Sequence, residues 1–296
     1  MRKSLLAVVV LAAFPITVLA QQAAPAAAQS PHTFTGNVGL FSDYRFRGIS
    51  QTYKQPAVQG GFDYAHSSGF YLGTWASNVS GNLYPNGASL EWDFYGGYKF
   101  EPVKDLGLDV GLLHYNYPGA RYYVVNANGS LGKSGNKYDN TELYLGASYK
   151  WFSAKYSHAL TNYFGVKTAT YGGTCGLNGN GTTPVSGCIA ATPGNSKGSS
   201  YLDLNANFEV MDKTTLGFHV GHTSVRHYGQ LSYTDWKISL TRDFGWATLG
   251  VAYVDTNAKA QFYRYGPAGL YSTPQGTTEN KDPGKGALVL SVQKTF

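Results

Sequence analysis

Taken two residues at a time, the chain separates into an apolar and a polar series. Tyr201 to Val210 sets Leu202, Leu204, Ala206, Phe208 and Val210 against Asp203, Asn205, Asn207 and Glu209, the alternation of a strand with one apolar face. The segment from Asp235 to Asp243 opposes Trp236, Ile238 and Leu240 to Asp235, Lys237, Ser239, Thr241 and Asp243. Ser89 to Phe100 opposes Leu90, Trp92, Phe94, Tyr98 and Phe100 to Ser89, Glu91, Asp93, Tyr95 and Lys99. The last ten residues place Leu288, Leu290, Val292 and Phe296 on one side, interrupted by Lys294. Segments of this kind run to about 9 to 11 residues, the length that crosses a bilayer obliquely.

From Thr35 onward the pattern predicts about twelve strands. Short links fall at His66 to Gly69, Glu101 to Asp105, Lys150 and Trp151, Met211 to Lys213 and Asp243 to Gly245. Longer ones fall at Phe46 to Pro56, Val79 to Ala88, Tyr117 to Asp139, Leu160 to Ser199, His222 to Tyr233 and Asp255 to Lys285. Short and long alternate, so one end of the sheet carries every short turn and the other every long loop. Because lipid offers no hydrogen bonds to an open edge, the last strand is expected to pair with the first. The predicted fold class is all-β: a transmembrane antiparallel up-and-down β-barrel with short periplasmic turns and long extracellular loops. A soluble sandwich or barrel would also alternate, but does not need strands of this length with segregated loops.

The N-terminus defines the compartment. Arg2 and Lys3 precede an apolar run from Leu5 to Phe14, and Ala20 ends a further apolar stretch, the order of a secretory signal. The expected organisation is a signal peptide over 1–20, a flexible segment over 21–33 and a barrel over 34–296. Composition agrees: 37 Gly, 24 Tyr and 15 Phe accompany only 14% charged residues, against about a quarter in an ordinary soluble domain. Much of the Tyr and Phe is expected at the barrel rims, with Tyr98, Phe100, Phe208, Phe244 and Phe296 near short turns or strand ends. The net charge of +6 includes Arg2 and Lys3 of the leader and is too dispersed to indicate nucleic acid.

Three stretches, "GNVGLFSDYRFRGISQT" (36–52), "GFYLGTWASNV" (69–79) and "LEWDFYGGYKF" (90–100), resemble the N-terminal signature of the TorF-type porins, a group of proteobacterial outer-membrane proteins. The resemblance covers roughly the first third of the mature chain. It implies an outer-membrane barrel and transport, with no catalytic residues and no particular substrate.

By the alternation, the lumen should receive Asp43, Arg45, Asp63, Glu91, Asp93, Lys99, Asp109, Glu142, Lys150, Lys155, Asp203, Glu209, Asp235, Lys237 and Asp243. One reading is an aqueous pore for small polar solutes or ions whose selectivity follows these charges, the acid excess favouring cations; a loop folded inward could reverse that preference. The other is a lumen closed by salt bridges, leaving a structural or adhesive barrel. Arg45 and Arg47, alternate positions in "DYRFRG", face the same way beyond the first strand and either guide anions or pair with Asp43 and its neighbours. Cys175 and Cys188 share the longest loop of an exported chain, which predicts a local disulfide. His219, His222 and His227 are a weak metal candidate, since His219 and His222 fall on opposite faces. Ser224, His222 and Asp235 could be drawn as a catalytic set, although no motif fixes their geometry. The expectation is a non-enzymatic channel in the outer membrane of a Gram-negative bacterium, without metal or cofactor. Its expected partners are outer-membrane lipids, the barrel assembly machinery acting on the C-terminal strand, and small solutes, but not nucleic acid; oligomeric state is not legible in one sequence.

Overall fold

The structure, a computed structural model, describes residues 30–81, 83, 89–125, 131–133, 135–167, 170, 194–263 and 281–296. Its frame is twelve antiparallel strands: β1 (His32–Phe41), β2 (Ala57–His66), β3 (Phe70–Asn78), β4 (Leu90–Val103), β5 (Leu106–Asn116), β6 (Asn140–Tyr149), β7 (Phe152–Ala159), β8 (Ser200–Met211), β9 (Thr214–Ser224), β10 (Tyr233–Asp243), β11 (Thr248–Thr256) and β12 (Ala287–Thr295). Each pairs with its neighbours in chain order, and β1 pairs with β12 to close the barrel. In that seam Asn37 lies opposite Thr295 and Phe41 opposite Ser291. Gly36 and Phe296 extend it by exchanging backbone hydrogen bonds of 2.7 and 2.9 Å. Closure satisfies both edges, as the long apolar strands require.

The alternating links are observed. Asp105, Lys150 and Lys213, at φ 68°, 52° and 55°, make tight turns at one end, and the long connections gather at the other. One boundary differs from expectation. His32 and Thr33, read as part of the flexible lead-in, already belong to β1, opposite His66 and Ala65; a polar pair at a strand start carries no alternation that would have revealed it. Residues 1–29 and the Cys175–Cys188 expectation lie outside the described residues.

Parity decides the faces. Phe62, Leu72, Leu145, Leu204, Ile238 and Leu290 point outward and are exposed, Phe62 to 69%. Buried residues lie inside, and they include Glu91, Asp93, Glu142, Asp235 and Lys237 beside Trp75, Tyr115 and Tyr144. This inversion, charge inside and aliphatic surface outside, is the opposite of a water-soluble core.

The tyrosines depart from the rim expectation. Phe100, Phe244 and Phe296 are exposed near strand ends, but Tyr71, Tyr115, Tyr144, Tyr201 and Tyr233 are buried within the barrel. A ring with one polar tip fills an inward position while its hydroxyl reaches a charged partner, so Tyr content alone does not distinguish rim from lumen.

Candidate functional site in the barrel lumen

Beyond Phe41 the chain does not rise away from the barrel. Arg45–Phe46 and Ile49–Ser50 pair as a small hairpin, with Arg47 (φ 47°) and Gly48 (φ 78°) at its tip. Positive φ at both central residues is the requirement of a type I′ turn. A Cβ at Gly48 would collide with Thr256 of β11 and Asp235 of β10, so the glycine serves a close approach as well as the turn. Tyr53 and Lys54 also have positive φ, 56° and 60°. Non-glycine residues held there are strained and persist only where their surroundings enforce the conformation.

Those surroundings are hydrogen bonds. Asp43 accepts from Arg45 Nε at 2.6 Å, Ser50 Oγ at 2.6 Å and Thr52 Oγ1 at 3.1 Å. Arg45 Nη1 donates to the carbonyls of Gly48, Pro283 and Lys285 at 3.0 to 3.1 Å. The Asp43–Arg45 pair therefore ties the base of the hairpin to the segment before β12. Arg47 goes elsewhere: its Nη2 donates to Glu142 of β6 at 2.7 Å and its Nη1 to the Tyr163 hydroxyl at 3.2 Å. Its guanidinium also lies 4.3 Å from the Tyr201 ring centroid and 4.8 Å from that of Phe46. Burial opposes the Arg47 charge, but Glu142, Tyr163 and Tyr115 hold its pKa above the ordinary arginine value. The expectation that Arg45 and Arg47 face the same way is corrected, because folding of the hairpin sends one to its base and the other across the lumen.

The hairpin fills the long-loop half of the lumen. Tyr44 and Tyr117 donate to opposite oxygens of Glu91 at 2.8 and 2.9 Å. Phe46 packs edge-on against Tyr115 and Phe164, with centroids 5.5 and 5.6 Å apart. Tyr44, Phe46, Glu91, Tyr115, Tyr117, Glu142 and Phe164 are all buried there, with Leu113 and Tyr163 partly so.

The short-turn half is built differently. Tyrosines lie flat over glycines on adjacent strands to reach acids beyond. Tyr95 of β4 crosses Gly73 of β3, its register partner, and donates to Asp63 of β2 at 2.6 Å. The same packing recurs at the long-loop end, beside the hairpin, where Tyr201 of β8 covers Gly221 of β9 and donates to Asp235 of β10 at 3.2 Å. Tyr71 and Tyr144 meet over Gly97 and Gly111 and hydrogen-bond to each other, and Tyr71 also donates to Asp109 at 2.7 Å. Lys99 lies opposite Asp109, and Lys155 opposite Asp203, the cross-strand arrangement that favours opposite charges. His219 contacts Asp203 at 3.1 Å and Asp235 at 2.8 Å. Asp63, Lys99, Asp109, Lys155, Asp203 and His219 are only half-buried, so water reaches this half.

Of the fifteen lumen candidates, Asp63, Glu91, Asp93, Lys99, Asp109, Glu142, Lys155, Asp203, Asp235 and Lys237 project inward from strands. Asp43 and Arg45 reach the interior through the hairpin. Three are corrected to the short-turn rim. Lys150 is an exposed turn residue at positive φ. The exposed Glu209 accepts from the Lys213 amide at 3.1 Å, and Asp243 accepts from the Gly245 amide at 2.7 Å. Parity places a side chain on a face but not at a depth, and turn backbones attract carboxylates.

His222 and Ser224 point outward while Asp235 points inward, so the drawn catalytic set is not assembled. His222 bonds Thr234 and His227 the Asn195 carbonyl, apart from His219. Among the described residues no group of three His, Cys, Asp or Glu side chains has metal-binding geometry. The lumen residues missed from sequence are Arg47's partner Tyr163 and the tyrosines Tyr71, Tyr144 and Tyr201; Tyr95 falls on the polar face with Glu91 and Asp93 by parity alone.

A family model described as "Bacterial protein of unknown function (Gcw_chp)" matches residues 25–296. No curated protein matches the chain. Among solved structures, the chain is similar to one titled "KdgM porin", at 9% identity over 89% of this chain and 99% of that one, TM-score 0.46. Similar too is the "NanC porin structure in rhombohedral crystal form", at 9% identity over 89% and 98%, TM-score 0.45. A "structure of porin refined at 1.8 angstroms resolution" aligns at 11% identity over 90% and 100%, TM-score 0.37.

Proposed function

The chain belongs to the Gcw_chp family of bacterial proteins of unknown function, and from that premise we propose that it is an outer-membrane channel for small hydrophilic solutes or ions, constricted by the hairpin at Asp43–Lys54. The observation that carries this reading is the inverted partition of the barrel: an uninterrupted outward band of exposed aliphatic and aromatic side chains around a charged interior. Soluble monomers rarely expose apolar patches beyond a few hundred Å², whereas such a band suits lipid and a charged lumen suits water. The secretory leader favours export to the outer membrane, with the short turns periplasmic and the long loops outside. Outer-membrane lipids, and the assembly machinery acting on the last strand, would be its standing partners. The TorF-type resemblance of residues 36–100 is a finer assignment within the same reading.

The half-buried Tyr, Asp and Lys groups of the short-turn half would form a wet vestibule. The hairpin and its aromatic contacts would form the barrier, with Arg47 and Glu142 as its latch. A second reading, a closed barrel that presents its loops outside, is favoured by the dense burial around the hairpin in the long-loop half. Single-channel current through the refolded mature protein in a planar bilayer separates the two. Discrete steps, with a reversal potential in a salt gradient that favours cations, support the channel; silence from a folded barrel supports the closed form.

A further inference from the structure

The acids around the hairpin tip exceed their resident cation. Glu91, Asp93 and Glu142 all face inward near the long-loop ends of β4 and β6. Glu142 is satisfied by Arg47 and Asn140, and Glu91 by two tyrosine hydroxyls. Asp93 differs. It is 6% exposed, it shares the inward face of β4 with Glu91 two residues away, and its Oδ1 is buried with no hydrogen-bond partner. Leaving such a carboxylate oxygen unsatisfied is costly.

The walls beside it are aromatic. In register, Asp93 lies directly opposite Trp75 on β3 and Tyr115 on β5, both buried. Tyr44 meets Trp75 edge-on at 5.4 Å and Phe46 meets Tyr115 at 5.5 Å. A buried carboxyl oxygen without a partner, bordered by aromatic side chains, suits an organic cation, which brings both a charge-assisted hydrogen bond and cation–π attraction. Arg47 already satisfies one guanidinium in this way, on Glu142 and over Phe46 and Tyr201. A small hydrated metal ion would not use the aromatic walls, and three-carboxylate metal geometry is not found among the described residues.

We propose that Asp93, with Trp75 and Tyr115, forms a subsite for solutes bearing a guanidinium or alkylammonium group, bound beside the hairpin. This deepens the channel reading by naming the solute class, and its test does not depend on conduction. Of the five tryptophans, Trp75 is buried and Trp92, Trp151, Trp236 and Trp246 are exposed, so a ligand at Asp93 reports through the buried indole. The refolded full barrel in detergent is titrated with methylguanidinium chloride, ethylammonium chloride, calcium chloride, sodium glutamate and glucose, following tryptophan emission.

The expected result is a saturable change with the two organic cations. Asp93→Asn, an isosteric change that removes the charge, should weaken it by roughly ten- to a hundredfold. Arg47→Gln, which withdraws the competing cation, should tighten binding several-fold. Folding of each variant is verified by heat-modifiable migration, and Asp93→Ala provides a second removal of the carboxylate. No saturable response, an unchanged response in both Asp93 variants, or a response to calcium alone would overturn the proposal. Binding without single-channel current would retain the subsite and overturn the channel.

Discussion

The two halves of the lumen solve the same problem, a charged interior inside an apolar shell, by different means. In the short-turn half the strands supply everything. Tyr95 over Gly73 reaches Asp63, Tyr71 over Gly97 reaches Asp109, and cross-strand register sets Lys99 opposite Asp109 and Lys155 opposite Asp203. In the long-loop half the wall is completed by a segment that has left it: the hairpin brings Arg47 to Glu142 across 95 residues of sequence. Groups held by register are fixed once the barrel closes, whereas groups held by a hairpin at positive φ depend on its tethers and can leave with it. The first half is therefore held by the frame itself and the second by the tethers of the hairpin.

The sharpest way to break this contrast is to take the hairpin out. Replacing residues 44–54 by a short Gly/Ser linker should raise single-channel conductance several-fold while the barrel still forms, since no strand of the frame is touched; unchanged conductance would move the barrier into the short-turn half. Next in size is the latch. Glu142→Gln leaves the Arg47 charge buried without its partner and should cost about 3 kcal/mol in denaturant unfolding, most of it recovered when Arg47→Met is added. An additive double variant would show that the two residues do not act as a pair.

The short-turn scaffold should respond to volume instead of charge. Gly73→Val drives a side chain into the Tyr95 ring and should cost about 2 kcal/mol. By contrast Gly229→Ala, in a loop with nothing within 4 Å of the added carbon, should stay within about 0.5 kcal/mol. Equal effects at the two sites would deny the tyrosine-over-glycine packing its role. The smallest expected change is in selectivity: Asp63→Asn removes one of several half-buried lumen acids and should reduce the cation preference of the reversal potential by a few millivolts without altering stability, because the vestibule is wet and screened. A larger shift would place the selective constriction at Asp63.

What the sequence by itself determined is the frame. Period-two alternation over long segments, with short and long links in turn, allows only a closed meander whose apolar parity faces outward, and residues such as Leu204 and Asp203 are assigned to their faces by that parity alone. It also determined the inward direction of Asp63, Glu91, Glu142 and Lys237, because direction on a strand is a local property. Depth, path and partner are not local. Lys150, Glu209 and Asp243 have inward or neutral parity in the chain, yet turn geometry puts them at the rim. "DYRFRG" reads as the start of an outer loop, and only the space enclosed by twelve strands makes inward folding favourable, by burying Tyr44 and Phe46 and pairing Arg47. The tyrosines were legible as abundant but not as lumen groups, since a ring reaches an acid two strands away only when register places a glycine between them.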